Sequence, residues 1–85
     1  MYNVSVYVTL KQSVLDPQGK AVKKSLHLLG FDDVEDVRIG KFLQVTVKAT
    51  NAEAAERRVK AMCDKLLANP VIEEYRLVVA EEADV

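Results

Sequence analysis

Eighty-five residues hold material for one hydrophobic core and not for two, so a single domain spanning 1–85 is expected. Hydrophobic residues at 49% and charged residues at 29% describe a globular chain, and a net charge of −1 gives no electrostatic footprint for nucleic acid or an anionic membrane. Met1-Tyr2-Asn3-Val4-Ser5-Val6 is not a signal peptide, no apolar run reaches membrane-spanning length, and the one cysteine, Cys63, cannot form an internal disulfide, so the cytoplasm is the expected compartment.

Tyr2 to Leu10 alternates, with Tyr2, Val4, Val6, Val8 and Leu10 on one face and Asn3, Ser5, Tyr7 and Thr9 on the other. Period two and many β-branched residues predict a strand with one buried face. Asp16-Pro17 predicts a helix start, with Asp16 capping free N–H groups and Pro17 in the first turn, where its missing donor costs nothing. Val22, Leu26 and Leu29 then form an apolar stripe, and Gly30 marks the stop. Val34 to Ile39 and Leu43 to Ala49 alternate apolar with charged or polar residues, which predicts two strands joined at Gly40-Lys41 as a tight antiparallel hairpin. Asn51 caps a second helix whose stripe is Ala55, Val59, Met62 and Leu66, with Cys63 and Leu67 beside it. Asn69-Pro70 ends that helix. Tyr75, Leu77 and Val79 predict a last strand, followed by an acidic tail over 81–85 that is expected to fray.

The order strand, helix, strand, strand, helix, strand is the ferredoxin-like α+β arrangement, a βαββαβ two-layer sandwich. It predicts a four-stranded antiparallel sheet with both helices on one face. The other face would stay open and carry Asn3, Ser5, Tyr7 and Thr9, then Phe42, Gln44, Thr46 and Lys48, then Arg76 and Val78. Such a face is available for docking, and with unpaired sheet edges it predicts a homo-oligomer, at least a dimer.

A self-contained active site is not legible. Cys63 falls deep in the second helix beside its apolar stripe, the setting of a packed core thiol and not of an activated nucleophile. His27, the single histidine, falls about 100° round the first helix from Leu26 and points to its edge or to solvent, so a Cys63–His27 dyad is not expected. Gly19-Lys20 and Gly40-Lys41 lack the rest of a phosphate-binding loop. Metal-carrying relatives of this fold use a Cys-x-x-Cys pair, and RNA-binding relatives use stacking aromatics in a pattern that Lys41-Phe42-Leu43-Gln44 does not supply. Hence no catalytic, cofactor-binding or metal-binding residue is assigned.

Several stretches together resemble the PurS family, the small subunit of phosphoribosylformylglycinamidine synthase. They are Val6-Tyr7-Val8-Thr9-Leu10-Lys11, Val14-Leu15-Asp16-Pro17-Gln18-Gly19, Leu29-Gly30-Phe31, Val37-Arg38-Ile39-Gly40-Lys41 and the run from Met62 to Glu73. The resemblance implies membership of an enzyme of purine biosynthesis that converts formylglycinamide ribonucleotide to its amidine. ATP, Mg and glutamine would be used by the partners, a PurL-like synthetase subunit and a PurQ-like glutaminase subunit, and none would be bound by this chain. The small subunit would bridge the two and assist ammonia transfer, with no nucleic-acid or membrane partner. The candidate interface lies in the first strand–helix loop and the turn after it: Tyr7, Leu10, Lys11, Asp16, Gln18, Arg38, Gly40, Lys41 and Phe42. The alternatives are a regulatory small-molecule-binding domain of the ACT kind and an acylphosphatase-like hydrolase. For the hydrolase, the first loop offers a lysine where an arginine is needed.

Overall fold

A computed structural model describes residues 1–81. Three strands, β1 (Tyr2–Leu10), β2 (Lys41–Val47) and β3 (Glu73–Glu81), form one antiparallel sheet in the order β2-β1-β3. The alternation of β1 works as read: Val4, Val6 and Val8 are fully buried, while Tyr7 stands on the other face, opposite Phe42 and Arg76. Glu81, expected in the frayed tail, instead pairs with Tyr2 as the last residue of β3; the rest of that tail, 82–85, lies outside the described residues.

Helix α1 (Pro17–Leu28) is capped by Asp16 and stops before Gly30, whose φ is 101°. Helix α2 (Ala52–Met62) is capped by Asn51, which accepts a hydrogen bond from the Ala54 N–H at 2.8 Å. Its chain continues as a π-helical turn, Cys63–Leu67, closed by the Ala68 N–H donating to the Cys63 carbonyl at 3.0 Å. A π turn holds more residues than an α turn, so the predicted stripe loses phase here. Leu66 rotates out to 83% exposure and Ala68 takes the inward place at 7%. The Tyr75 hydroxyl donates to Asp64 at 2.9 Å and pins the turn to β3. Burial first, and then that bond, push the Tyr75 pKa up to about 12, so the donor persists at neutral pH.

The core is Val4, Val6 and Val8 of β1 against Ala55, Val59, Cys63 and Ala68. Cys63 is completely buried, and burial, with Asp64 adding, pushes its thiol pKa up. His27 is exposed on α1 and donates from Nε2 to the Val34 carbonyl at 2.8 Å, so the two residues share no site. Truncation of this thiol leaves a small cavity, and Cys63→Ala is expected to cost about 1 kcal/mol in a denaturant titration without loss of the fold. A loss several times larger would assign Cys63 a role beyond packing.

Two expectations are corrected. Among the described residues the sheet has three strands, not four: residues 34–40 join no ladder. A two-residue hairpin turn requires positive φ, and Gly30 is the one glycine that has it, so the chain does not turn back at Gly40-Lys41. The Ile39 N–H that a ladder would use goes instead to the Asp16 carboxylate. Gly40 is glycine for a different reason: a Cβ there would overlap the Val8 carbonyl oxygen of β1.

The second correction concerns the helices. Only α2 and its π turn cover the sheet, over β1 and β3, whereas α1 buries nothing but Gly19. Its stripe residues Val22 and Leu29, with neighbouring Leu28 and Phe31, are exposed. The radius of gyration is therefore 16.5 Å, against about 12 Å for a compact domain of this length.

Candidate subunit interface

The junction where α1 leaves the sheet is built on Asp16. Its extended backbone makes it the N-cap, and its two oxygens have separate tasks. Oδ1 accepts from the Gly19 N–H at 2.9 Å, closing the first turn, and Oδ2 accepts from the Ile39 N–H at 2.7 Å, tying that turn to the segment entering β2. Gly19 permits this approach because a Cβ would overlap the Val37 carbonyl oxygen. The hydrogen bond from Ile39 and then that from Gly19 hold the Asp16 carboxyl below its ordinary pKa, with the Arg38 charge assisting and burial opposing.

A carboxylate with a lowered folded-state pKa contributes stability above its unfolded pKa, near 3.9, and loses it as pH falls through the folded value. Asp16→Asn is thus expected to lower the thermal midpoint at pH 7. The gap to the parent should close as both are acidified below about pH 4. A gap that stays constant to pH 2 would mean that the ionised form is not what binds.

Arg38 completes the junction. Its Nη2 donates to the carbonyls of Lys11 at 2.8 Å and Val14 at 3.0 Å and reaches the Leu10 carbonyl at 3.4 Å, so one guanidinium gathers the β1–α1 loop. The Lys11 N–H in turn donates to the Ile72 carbonyl at 2.9 Å. Beside this junction an open cleft of about 330 Å³ is lined by Leu10, Asp16, Gln18, Ile39, Gly40, Lys41 and Glu73. Lys41 donates to the Leu67 carbonyl at 3.2 Å and stands 3.9 Å from the partly buried Glu73 carboxylate, whose other oxygen accepts from the Asn69 N–H; at that length, with the lysine exposed, the pairing has little energetic weight.

The open sheet face carries a second feature. Tyr7 and Phe42 pack with ring centroids 5.1 Å apart and planes inclined at 33°, and Arg76 lies over the Tyr7 ring at 4.6 Å. A cation against an aromatic pair is a frequent element of docking surfaces.

The structure thus gathers the predicted interface residues into two groups. Leu10, Asp16, Gln18, Gly40 and Lys41 share the cleft, Lys11 and Arg38 are hydrogen-bonded to each other in the adjoining junction, and Tyr7 and Phe42 sit on the open face. Ile39 falls inside the predicted Arg38-to-Phe42 stretch, whereas sequence reasoning did not select Glu73. Glu73 closed the Met62–Glu73 stretch, and its opposition to Lys41 depends on β3 and β2 flanking β1.

Comparison with known proteins is decisive on family. Residues 3–81 match the PurS family, phosphoribosylformylglycinamidine (FGAM) synthase. The chain belongs to the PurS family. A PurS subunit of phosphoribosylformylglycinamidine synthase from Bacillus subtilis is 53% identical over 81 residues, covering 95% of each chain. PurS from Methanocaldococcus jannaschii, one of the subunits of formylglycinamide ribonucleotide amidotransferase, superposes with a TM-score of 0.88 at 37% identity, over 98% of this chain and 100% of that one. A chain in the structure of PurLQS from Thermotoga maritima matches with a TM-score of 0.85 at 33% identity, over 93% and 96%. A PurS chain is a subunit of an enzyme complex, phosphoribosylformylglycinamidine synthase, which displaces the ACT-like and acylphosphatase-like alternatives. Among the described residues no helix is long and apolar enough to cross a membrane.

Proposed function

We propose that this PurS chain is the non-catalytic bridge of phosphoribosylformylglycinamidine synthase. It holds a PurL-like synthetase subunit and a PurQ-like glutaminase subunit in the register that ammonia transfer needs. ATP, Mg and glutamine are bound by those partners and not by this chain, and the complex works in the cytoplasm without a nucleic-acid or membrane partner. The observation that supports this reading best is α1, a capped helix that buries only Gly19 in its own chain and leaves Val22, Leu28 and Leu29 exposed. A helix with an uncovered apolar stripe is an element in want of another surface. Ammonia released in one active site reaches another only along a route closed to water, and a small ordered subunit aligns the two ends of such a route.

The same observation supports a homo-oligomer, at least a dimer. Leu43, Val45 and Val47 of β2 are only partly buried, since α2 lies over β1 and β3. Helix α1 of a second copy would cover that half, and residues 34–38 of that copy, which stop short of the Ile39 N–H held by Asp16, would lie along the free edge of β2 as a fourth strand. The arrangement is self-complementary about a two-fold axis and restores the four-stranded, two-helix layer that the periodicity predicts.

Co-expression of the tagged chain with the two large subunits tests the bridge. All three are expected in one complex that makes the amidine from glutamine and ATP, and the isolated chain is expected to show no ATPase, glutaminase or amidine-forming activity. Recovery of a synthetase–glutaminase complex with full glutamine-dependent activity without this chain would overturn the reading.

A further inference from the structure

We propose that Arg38 is a positioning residue for the glutamine-dependent reaction: by gathering the β1–α1 loop it fixes the surface through which the nitrogen donor and acceptor subunits are kept in register. The inference rests on the bridging reading above and assigns it to a particular side chain.

Arg38 and Asp16 are adjacent and oppositely charged, yet they do not behave as an ordinary ion pair. Both Asp16 oxygens are occupied by backbone N–H groups, from Gly19 and Ile39. The Arg38 Nη2 is turned to backbone carbonyls, those of Lys11, Val14 and, at longer range, Leu10. The two side chains are interlocking clamps on main chain: Asp16 fastens the start of α1 to the strand entry at Ile39, and Arg38 fastens the preceding loop to the same segment. Four stretches, β1's end, the loop, the first turn of α1 and the approach to β2, are fixed together by two residues.

This clamp does not hold the core. Every core residue comes from β1, α2, the π turn or Ala68, and none lies between 11 and 40. With α1 packed on neither sheet face, the clamp and the close approach of Gly19 to Val37 hold the start of α1, and the His27–Val34 hydrogen bond holds its end, against the segment that enters β2. A guanidinium that organises a loop remote from the core, beside an open cleft lined by Leu10, Gln18 and Lys41, has its consequence at the surface. One corner of the planar guanidinium, Nη2, meets all three carbonyls from a position the rigid group fixes, whereas an ammonium is a single point of charge on a flexible stem.

The test uses the reconstituted three-subunit enzyme with glutamine or with ammonium chloride as nitrogen source. In each preparation the amidine formed and the glutamine hydrolysed are measured together, and sedimentation checks that the complex has assembled. Arg38→Ala is expected to assemble, to lower the ratio of glutamine-supported to ammonia-supported rate at least 10-fold, and to raise glutamine hydrolysed per amidine at least 3-fold. Arg38→Lys is expected to recover part of both quantities, and Asp16→Asn, which removes the opposite clamp, to move them in the same direction as Arg38→Ala. A merely structural arginine would alter the amount of complex and leave both ratios of the assembled fraction unchanged. Assembled Arg38→Ala enzyme with parental ratios would overturn the proposal, and so would failure of all three variants to fold or assemble. Failure of the unsubstituted chain to join the two large subunits would instead refute the bridging reading, before any variant is made.

Discussion

Leu26→Glu is expected to sediment as a monomer of 9.5 kDa under conditions where the parent chain is at least a dimer. Leu26 lies at the centre of the α1 stripe, between Val22 and Leu29, on a helix that buries only Gly19 within its own chain. If a second copy covers that stripe, the substitution places an unpaired carboxylate in the covered layer. The cost is on the order of 3 kcal/mol or more per protomer, or roughly 100-fold in affinity for each, and a two-fold interface incurs it twice. The fold of the sheet and α2 should survive, because no α1 residue belongs to the core. Sedimentation equilibrium at micromolar concentration reads the first outcome and far-ultraviolet circular dichroism the second. Unchanged association would move the contact to the open face, where Tyr7→Lys or Phe42→Lys should then dissociate the oligomer by breaking the aromatic pair.

Gly40→Ala carries the second large effect. The added Cβ would meet the Val8 carbonyl oxygen, with the Thr9 Cγ2 also at 3.0 Å. The first obstacle is backbone of the central strand, in the residue paired with Lys41, and it cannot give way without disturbing the β1–β2 register. Overpacking of this kind costs about 1–3 kcal/mol, and a backbone obstacle puts the cost at the upper end. The thermal midpoint should fall by roughly 10 °C or more, measured at one fixed protein concentration because association shifts apparent stability. Gly19→Ala makes a comparable overlap with Val37, but at the base of α1 and outside the core; its main effect should be on association and assembly. A parental midpoint for Gly40→Ala would show that residues 37–40 do not run so close to β1.

Much of the molecule was legible from residue order alone. The alternation of β1 named the three buried valines, the Asp16 and Asn51 caps marked both helix starts, and the faces of β1, β2 and β3 separated as read, down to the Tyr7–Phe42–Arg76 cluster. These features are local: a period of two or a capping side chain works within a few residues of sequence. The motifs likewise indicated the family, because they are fixed strings and need no geometry.

Other features were decided only in three dimensions. Leu66 belonged to the stripe by count, but the π turn after Met62 shifted the phase and brought Ala68 inward. Glu73 met Lys41 because their strands flank β1. Gly40 read as a turn and proved to be a close approach, and Arg38, read as a charged strand position and a candidate interface residue, proved to gather a loop. The clearest case is the pair of elements from α1 to residue 39. Their periodicities predict a covered helix and a paired strand, yet within one chain neither finds its cover. Periodicity records that a set of side chains faces an apolar layer or that a backbone expects a ladder. It is silent on which chain supplies them, since the pattern is the same whether the covering surface is the chain's own or another's.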